Sequence, residues 1–204
     1  MLSAIEMDFL ESALQHDSTA VKRVVEVGAG FGRTAHMVLT HLQDIENYTI
    51  LDFSEMVELS RSYLKSVLPL QLFNKILFIT TMEELDSNFD LAIQIDGLQE
   101  MEEVVIESYY ECVFTKSRFV FLRNPVAKYL PSKGGILNTE SVEIPLSLGR
   151  SQRVIDIWNV SEVGDVCAQH DVAYTPNNGT LVKAQNCRLF PHYRMQFFVN
   201  DLRN

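Results

Sequence analysis

Val25-Glu26-Val27-Gly28-Ala29-Gly30-Phe31-Gly32-Arg33 places three glycines at alternate positions directly behind a β-branched run. Val24 to Val27 reads as a short buried strand. Thr34 to Leu42 reads as a helix. A glycine-rich strand-to-helix turn lets the backbone pass close to a ligand, and the helix N-terminus adds positive potential. The spacing is G-x-G-x-G, one residue short of the G-x-G-x-x-G of dinucleotide binders. Glu26, two residues before the first glycine, would repel a pyrophosphate and suits an ammonium group.

Outward from this turn the pattern repeats. Tyr48–Leu51 reads as a second strand closed by Asp52, and Ser54 as the cap of a helix to about Leu68, stopped by Pro69. Ile76–Ile79 and Phe89–Ile95 read as strands flanking a helical turn at Thr81–Leu85. Leu98–Phe114 reads as one helix and Arg118–Leu122 as a fifth strand. Before the turn, residues 3–15 read as an amphipathic helix with a Ser3/Glu6 capping box, broken at His16-Asp17-Ser18. After Asn124-Pro125 comes an excursion holding Pro131, Gly134-Gly135, Pro145 and Gly149, then a helix over 152–169 and a loop at His170-Asp171. Strands at Leu181–Arg188 and Arg194–Val199 follow, turning at Phe190-Pro191-His192.

Strands alternating with helices predict an α/β fold. The expected form is a doubly wound, mostly parallel, seven-stranded Rossmann-like sheet with an antiparallel C-terminal hairpin. One domain over 1–204 is expected: an N-terminal helix (1–18), a cofactor-binding core (20–123), a substrate-side excursion (124–180) and the hairpin (181–200).

Composition narrows the function. The 204 residues are 47% hydrophobic and 22% charged, with a net charge of −10, which disfavours nucleic acid and anionic membrane surfaces as partners. Cys112, Cys167 and Cys187 form no CxxC pair, which points to a reducing compartment and a cytoplasmic protein. No His/Asp/Glu grouping has metal spacing. The sequons at Asn47, Asn159 and Asn178 read as chance.

Asp52, about twenty residues past the glycines, is placed to accept hydrogen bonds from both hydroxyls of a ribose. A ligand with a ribose, an ammonium and no phosphate is S-adenosylmethionine. The E-V-G-A-G-x-G motif, with Asp52 in Thr49-Ile50-Leu51-Asp52-Phe53-Ser54, resembles the class I S-adenosylmethionine-dependent methyltransferases over residues 20–123. Tyr48 to Leu64 and Leu98-Gln99-Glu100-Met101 are similar to the sugar O-methyltransferases.

The resemblance implies that Gly28, Ala29, Gly30 and Gly32 line the methionine and ribose side and that Glu26 meets the ammonium. It implies Asp52 on the ribose, Phe53 and Met82 on the two faces of adenine, and Asp96-Gly97 near the methionyl part. An oxygen acceptor needs a base. Glu100 and His192 are the candidates, each also readable as a helix-start carboxylate and a turn residue. A small-molecule acceptor, a sugar or sugar nucleotide, is the expected partner, with a homo-oligomer as a further expectation. The alternatives are a non-catalytic module of this fold and a nicotinamide-dependent oxidoreductase.

Overall fold

The computed structural model describes residues 2–15, 20–85, 88–129 and 147–202. His16-Asp17-Ser18, Pro131, Gly134-Gly135 and Pro145 lie outside them. Seven strands form one sheet: β1 (Arg23–Val27), β2 (Asn47–Leu51), β3 (Ile76–Ile79), β4 (Phe89–Ile95), β5 (Ser117–Pro125), β6 (Gly179–Asn186) and β7 (Tyr193–Asn200). The order is β3-β2-β1-β4-β5-β7-β6. The first five strands pair in parallel, and β7 runs antiparallel to both β5 and β6. Pro125 therefore pairs with Tyr193, which brings the hairpin turn to the edge where β1, β4 and β5 end.

Side-chain alternation wraps the sheet on both faces. Val24, Ile50, Leu91 and Phe121 pack under helices α1 (Leu2–Leu14), α2 (Arg33–His41) and α3 (Ser54–Val67). Val25, Val27, Ala92 and Val120 pack against Ile106 and Tyr110 of a helix over Glu103–Cys112. Ahead of it, a four-residue helical turn, α4 (Leu70–Phe73), makes the Glu103–Cys112 helix α5 and the last helix, over Val160–Ala173, α6. A smaller apolar cluster, including Val126, Ile155 and Val163, lies where the chain leaves β5.

Several local expectations give way to tertiary contacts. Ser3 lies inside α1, its buried hydroxyl without a hydrogen-bond partner among the described residues, and Glu6 faces Arg123, so no capping box is formed there. Ser54 is the first helical residue of α3, and its hydroxyl bonds Glu55 instead of capping. Pro69 stops α3, which ends at Val67 with Leu68 as its cap, as expected. It is also the N-cap of α4, whose Leu72 and Phe73 N–H groups donate to its carbonyl, and its own missing N–H costs nothing there.

The single helix expected over Leu98–Phe114 is a 3-10 turn at Leu98–Glu100, then α5, then a second 3-10 turn at Phe114–Lys116. The Asn124 carboxamide oxygen accepts the N–H groups of Gly97 and Leu98, and the Met101 carbonyl accepts from Gly149. The Asn124 bonds pin the start of the segment to the end of β5, and the Gly149 bond holds its far end. The fifth strand runs on past Leu122 to Pro125, which carries Arg123 and Asn124 into the ligand edge.

The helix expected at 152–169 begins only at Val160. The Lys128 N–H donates to the Arg153 carbonyl and the Ile155 N–H to the Lys128 carbonyl, which keeps Arg153–Ile155 extended. The Asn159 side chain then caps α6 by accepting from Ser161 and Glu162. That cap is a structural reason for one of the three sequons. His170 is not in a loop. It is buried on α6, and Asp171 beside it binds Arg194.

Candidate functional site

The strand ends and the three glycines build the site. Gly28, Gly30 and Gly32 have φ of 72°, 56° and 89°, left-handed values that favour glycine, so the chain turns out of β1 without side chains in the way. Among the described residues, chain neighbours aside, no atom stands within 4 Å of a Cβ added at Gly28 or Gly30, leaving a cradle open to a ligand. At Gly32 the Cβ would come 2.8 Å from Leu64 Cδ1, so this glycine serves the packing of α2 on α3.

Two cavities meet at Gly28. The first, of about 260 Å³, is lined among others by Leu51, Asp52, Phe53, Gly97, Glu100 and Tyr109. The Asp52 carboxylate accepts from Gly30 N at 2.8 Å through one oxygen and from Phe53 N at 2.8 Å through the other. Each oxygen keeps a lone pair for a further donor. Phe53 is 77% exposed at the cavity mouth. Met101, just ahead of α5, and Val105 and Tyr109 on one face of it supply an apolar wall.

The second cavity, of about 350 Å³, is lined among others by Glu26, Ala29, Gly30, Arg33, Asp96 and Arg123. Glu26 is 2% exposed and accepts the Tyr48 hydroxyl at 2.7 Å. Burial pushes its carboxyl up to about 7, against the opposing hydrogen bonds from Tyr48 and Thr34. A cation arriving beside this buried acid favours its ionised form, and the proton leaves to solvent. Asp96 has φ 63°, strained for a side chain of this kind, at the point where the two cavities approach.

A third, small cavity of about 20 Å³ adjoins both, with Asp96, Gly97, Glu100, Lys128, Tyr129 and Tyr193 around it. Burial raises the Glu100 carboxyl and lowers the Lys128 ammonium. The Lys128 ammonium donates to the Gln99 carbonyl. His192 is 7% exposed and packs on Tyr129 and Tyr193, at ring-centroid distances of 5.2 Å and 4.9 Å.

The structure thus gathers Glu26, Gly28, Ala29, Gly30, Asp52, Phe53, Asp96, Gly97 and Glu100 around connected cavities. Gly32, Met82 and His192 line none of the three. Met82 packs at the margin of the core, in a turn whose capping box joins Thr81 to Glu84. Sequence reading missed Arg33, Arg123, Lys128 and Tyr109. Met101, Val105 and Tyr109 recur four apart, a spacing that reads equally as an ordinary core stripe.

Among solved structures, the methyltransferase domain of bacterial CtHen1 superposes with a TM-score of 0.62 at 17% identity, covering 98% of this chain and 100% of that one. Mitomycin 7-O-methyltransferase MmcR superposes at 0.58 and 11% identity, covering 96% of this chain and 54% of that one. Magnesium protoporphyrin IX methyltransferase ChlM from Synechocystis PCC 6803, with bound SAH, superposes at 0.58 and 15% identity, covering 98% and 84%. The chain has the α/β methyltransferase fold. No family model and no curated protein matches its sequence. Among the described residues, no helix is long and apolar enough to cross a membrane.

Proposed function

We propose that this chain is an S-adenosylmethionine-dependent methyltransferase that methylates an oxygen of a small polar acceptor, a sugar or sugar nucleotide. The observation that carries the reading is the meeting of two cavities at Gly28, one ending on Asp52 and the other on buried Glu26. That arrangement fits a molecule with a ribose at one end and an ammonium at the other. A nicotinamide dinucleotide would bring a pyrophosphate against Glu26, which disfavours it. The sugar acceptor is supported by the resemblance of the 48–64 and 98–101 segments and by the polar lining of the small cavity.

When bound, S-adenosylmethionine supplies a methyl group on a sulfonium, which leaves as a neutral thioether. The protein has to align the acceptor and take its proton. Asp52 is held by two backbone N–H groups, so its free lone pairs point at a fixed place for the ribose hydroxyls. Glu26 meets the ammonium. Glu100 touches both the ribose cavity and the small cavity, and it receives the acceptor hydroxyl proton. Its raised carboxyl makes it a better base than an exposed carboxylate. His192, behind Tyr129 and Tyr193, shapes this wall without reaching the cavity.

The test is calorimetric titration with S-adenosylmethionine and S-adenosylhomocysteine, with NADH as control. Micromolar binding of the first two, abolished by Asp52→Ala, is expected. Binding of NADH alone would sink the reading. With an acceptor in hand, Glu100→Gln should lower turnover by about 10²-fold or more while S-adenosylhomocysteine still binds. Unchanged turnover would remove Glu100 as the base.

A further inference from the structure

The small cavity past the end of β5 is walled by an ammonium with hydrogen-bonding capacity to spare. Lys128 is 1% exposed, and its backbone N–H and carbonyl are both bonded to the Arg153–Ile155 segment. Its ammonium has three N–H groups to donate. Among the described residues its one hydrogen-bond partner is the Gln99 carbonyl. Gln99 and Lys128 both line the small cavity, so the ammonium ends at its wall. Burial works against the charge there, and Glu100, on the same cavity, works for it. A buried ammonium with unused donors is costly, so this wall calls for a further acceptor.

Size and the other walls restrict what that acceptor is. A cavity of about 20 Å³ has room for one water-sized group, such as a single hydroxyl. Tyr193 hydrogen-bonds both Asp96 and Tyr129, so the phenol side is engaged within itself. Lys128 can only donate, and an ionised Glu100 can only accept. A group held between them has to accept from one and donate to the other. A hydroxyl does both and keeps a second lone pair free. A neutral amine has one lone pair, which Lys128 would occupy, and an ammonium has none. A carboxylate has no proton to give to Glu100.

We infer that Lys128 and Glu100 form a socket for one acceptor hydroxyl, and that Lys128 is the residue that restricts methylation to oxygen. The inference rests on the methyltransferase reading and deepens it with a second residue at the acceptor oxygen. The hydroxyl accepts from Lys128 and donates to Glu100, which takes its proton. The remaining lone pair forms the new C–O bond, and the C–S electrons stay on sulfur. The Lys128 charge steadies the oxygen as its proton departs, and the Gln99 carbonyl keeps the ammonium in place.

The first test needs no acceptor. A crystal structure of the wild type with S-adenosylhomocysteine should show one ordered water within about 3.2 Å of both Lys128 Nζ and a Glu100 carboxylate oxygen. Lys128→Met keeps the buried stem and removes the charge, so that water should be lost while thermal melts show a folded protein. A wild-type cavity without the water, or a water that stays in Lys128→Met, would overturn the socket and leave the cofactor reading standing. Failure of S-adenosylhomocysteine to bind the wild type in calorimetry would overturn the cofactor reading itself, and the role of Lys128 with it. The second test offers both atoms in one molecule: methyl transfer to glucosamine or galactosamine, with O-methyl and N-methyl products separated by chromatography. The wild type should form the O-methyl product, and Lys128→Met should lower it by about tenfold to a hundredfold and raise the N-methyl share. An unchanged product ratio in Lys128→Met would overturn the selection of oxygen. Where neither amino sugar is methylated, the crystal structures decide alone.

Discussion

The Glu26 carboxyl sits at the end of β1 with Tyr48 and Thr34 bonded to it, and burial holds its proton on to about pH 7. An ammonium beside it favours the ionised form, so cofactor affinity should rise with pH through this range. Between pH 6 and pH 8 the ionised fraction grows roughly tenfold, and affinity should follow. Glu26→Gln should weaken binding and flatten that dependence, as read by titration at several pH values. A variant with the wild-type slope would show that another group carries it. Asp52 differs in kind: both of its oxygens are already held by backbone N–H groups, so it is rigid before any ligand arrives. Asp96, the one described residue other than glycine at positive φ, adds strain at the junction of the cavities.

At the scale of elements, the segment between β5 and α6 shows how local sequence is overridden. Lys128 pairs its backbone with Arg153 and Ile155, and α6 waits for the Asn159 cap. The cap is reciprocal, since Asn159 Nδ2 donates to Glu162 at 3.0 Å. Asn159→Ala should cost about 1 kcal/mol of stability, measured by denaturant unfolding, with α6 frayed at its start. An unchanged midpoint would mean that the packing of Val163 and Val166 holds the helix alone. The same logic explains the broken helix before α5. Asn124 and Gly149 occupy backbone groups at the two ends of the Gly97–Met101 stretch, and the turn they impose carries Glu100 to the cavity.

For the whole molecule, two buried groups pull stability in opposite directions with pH. Glu26 has a folded value of about 7, above its ordinary 4.5. The stability it gives is full below pH 4.5 and is lost as pH rises through 7. His170, buried on α6, is pushed down to about 4 from an ordinary 6.5. Its contribution is full above pH 6.5 and is lost as pH falls through 4. Each swing is worth roughly 3 kcal/mol by linkage, and the two offset between about pH 4.5 and 6.5. Relative to the wild type, Glu26→Gln should lose stability as pH falls through that window, and His170→Phe should gain it. Urea unfolding across the pH range reads both slopes. Parallel curves for all three proteins would refute the offset.

The order of elements and the chemistry of the glycine turn were legible in the chain itself. Short buried β-branched runs alternate with helices, glycines recur where φ must be positive, and Glu26 and Asp52 stand at fixed intervals around them. These are local signals, carried by residues near one another or spaced by a single crossover. The tertiary structure alone decided the rest. Arg123 is one charged residue in a strand until β5 brings it under α1, against Glu6 far earlier in the chain. Tyr109 is a core-stripe residue until α5 closes on Asp52. His192 and Met82 sit at the expected turns and line none of the three cavities. Which polar groups end up paired, and which stay open for a ligand, depends on contacts between distant segments, and no local spacing encodes those.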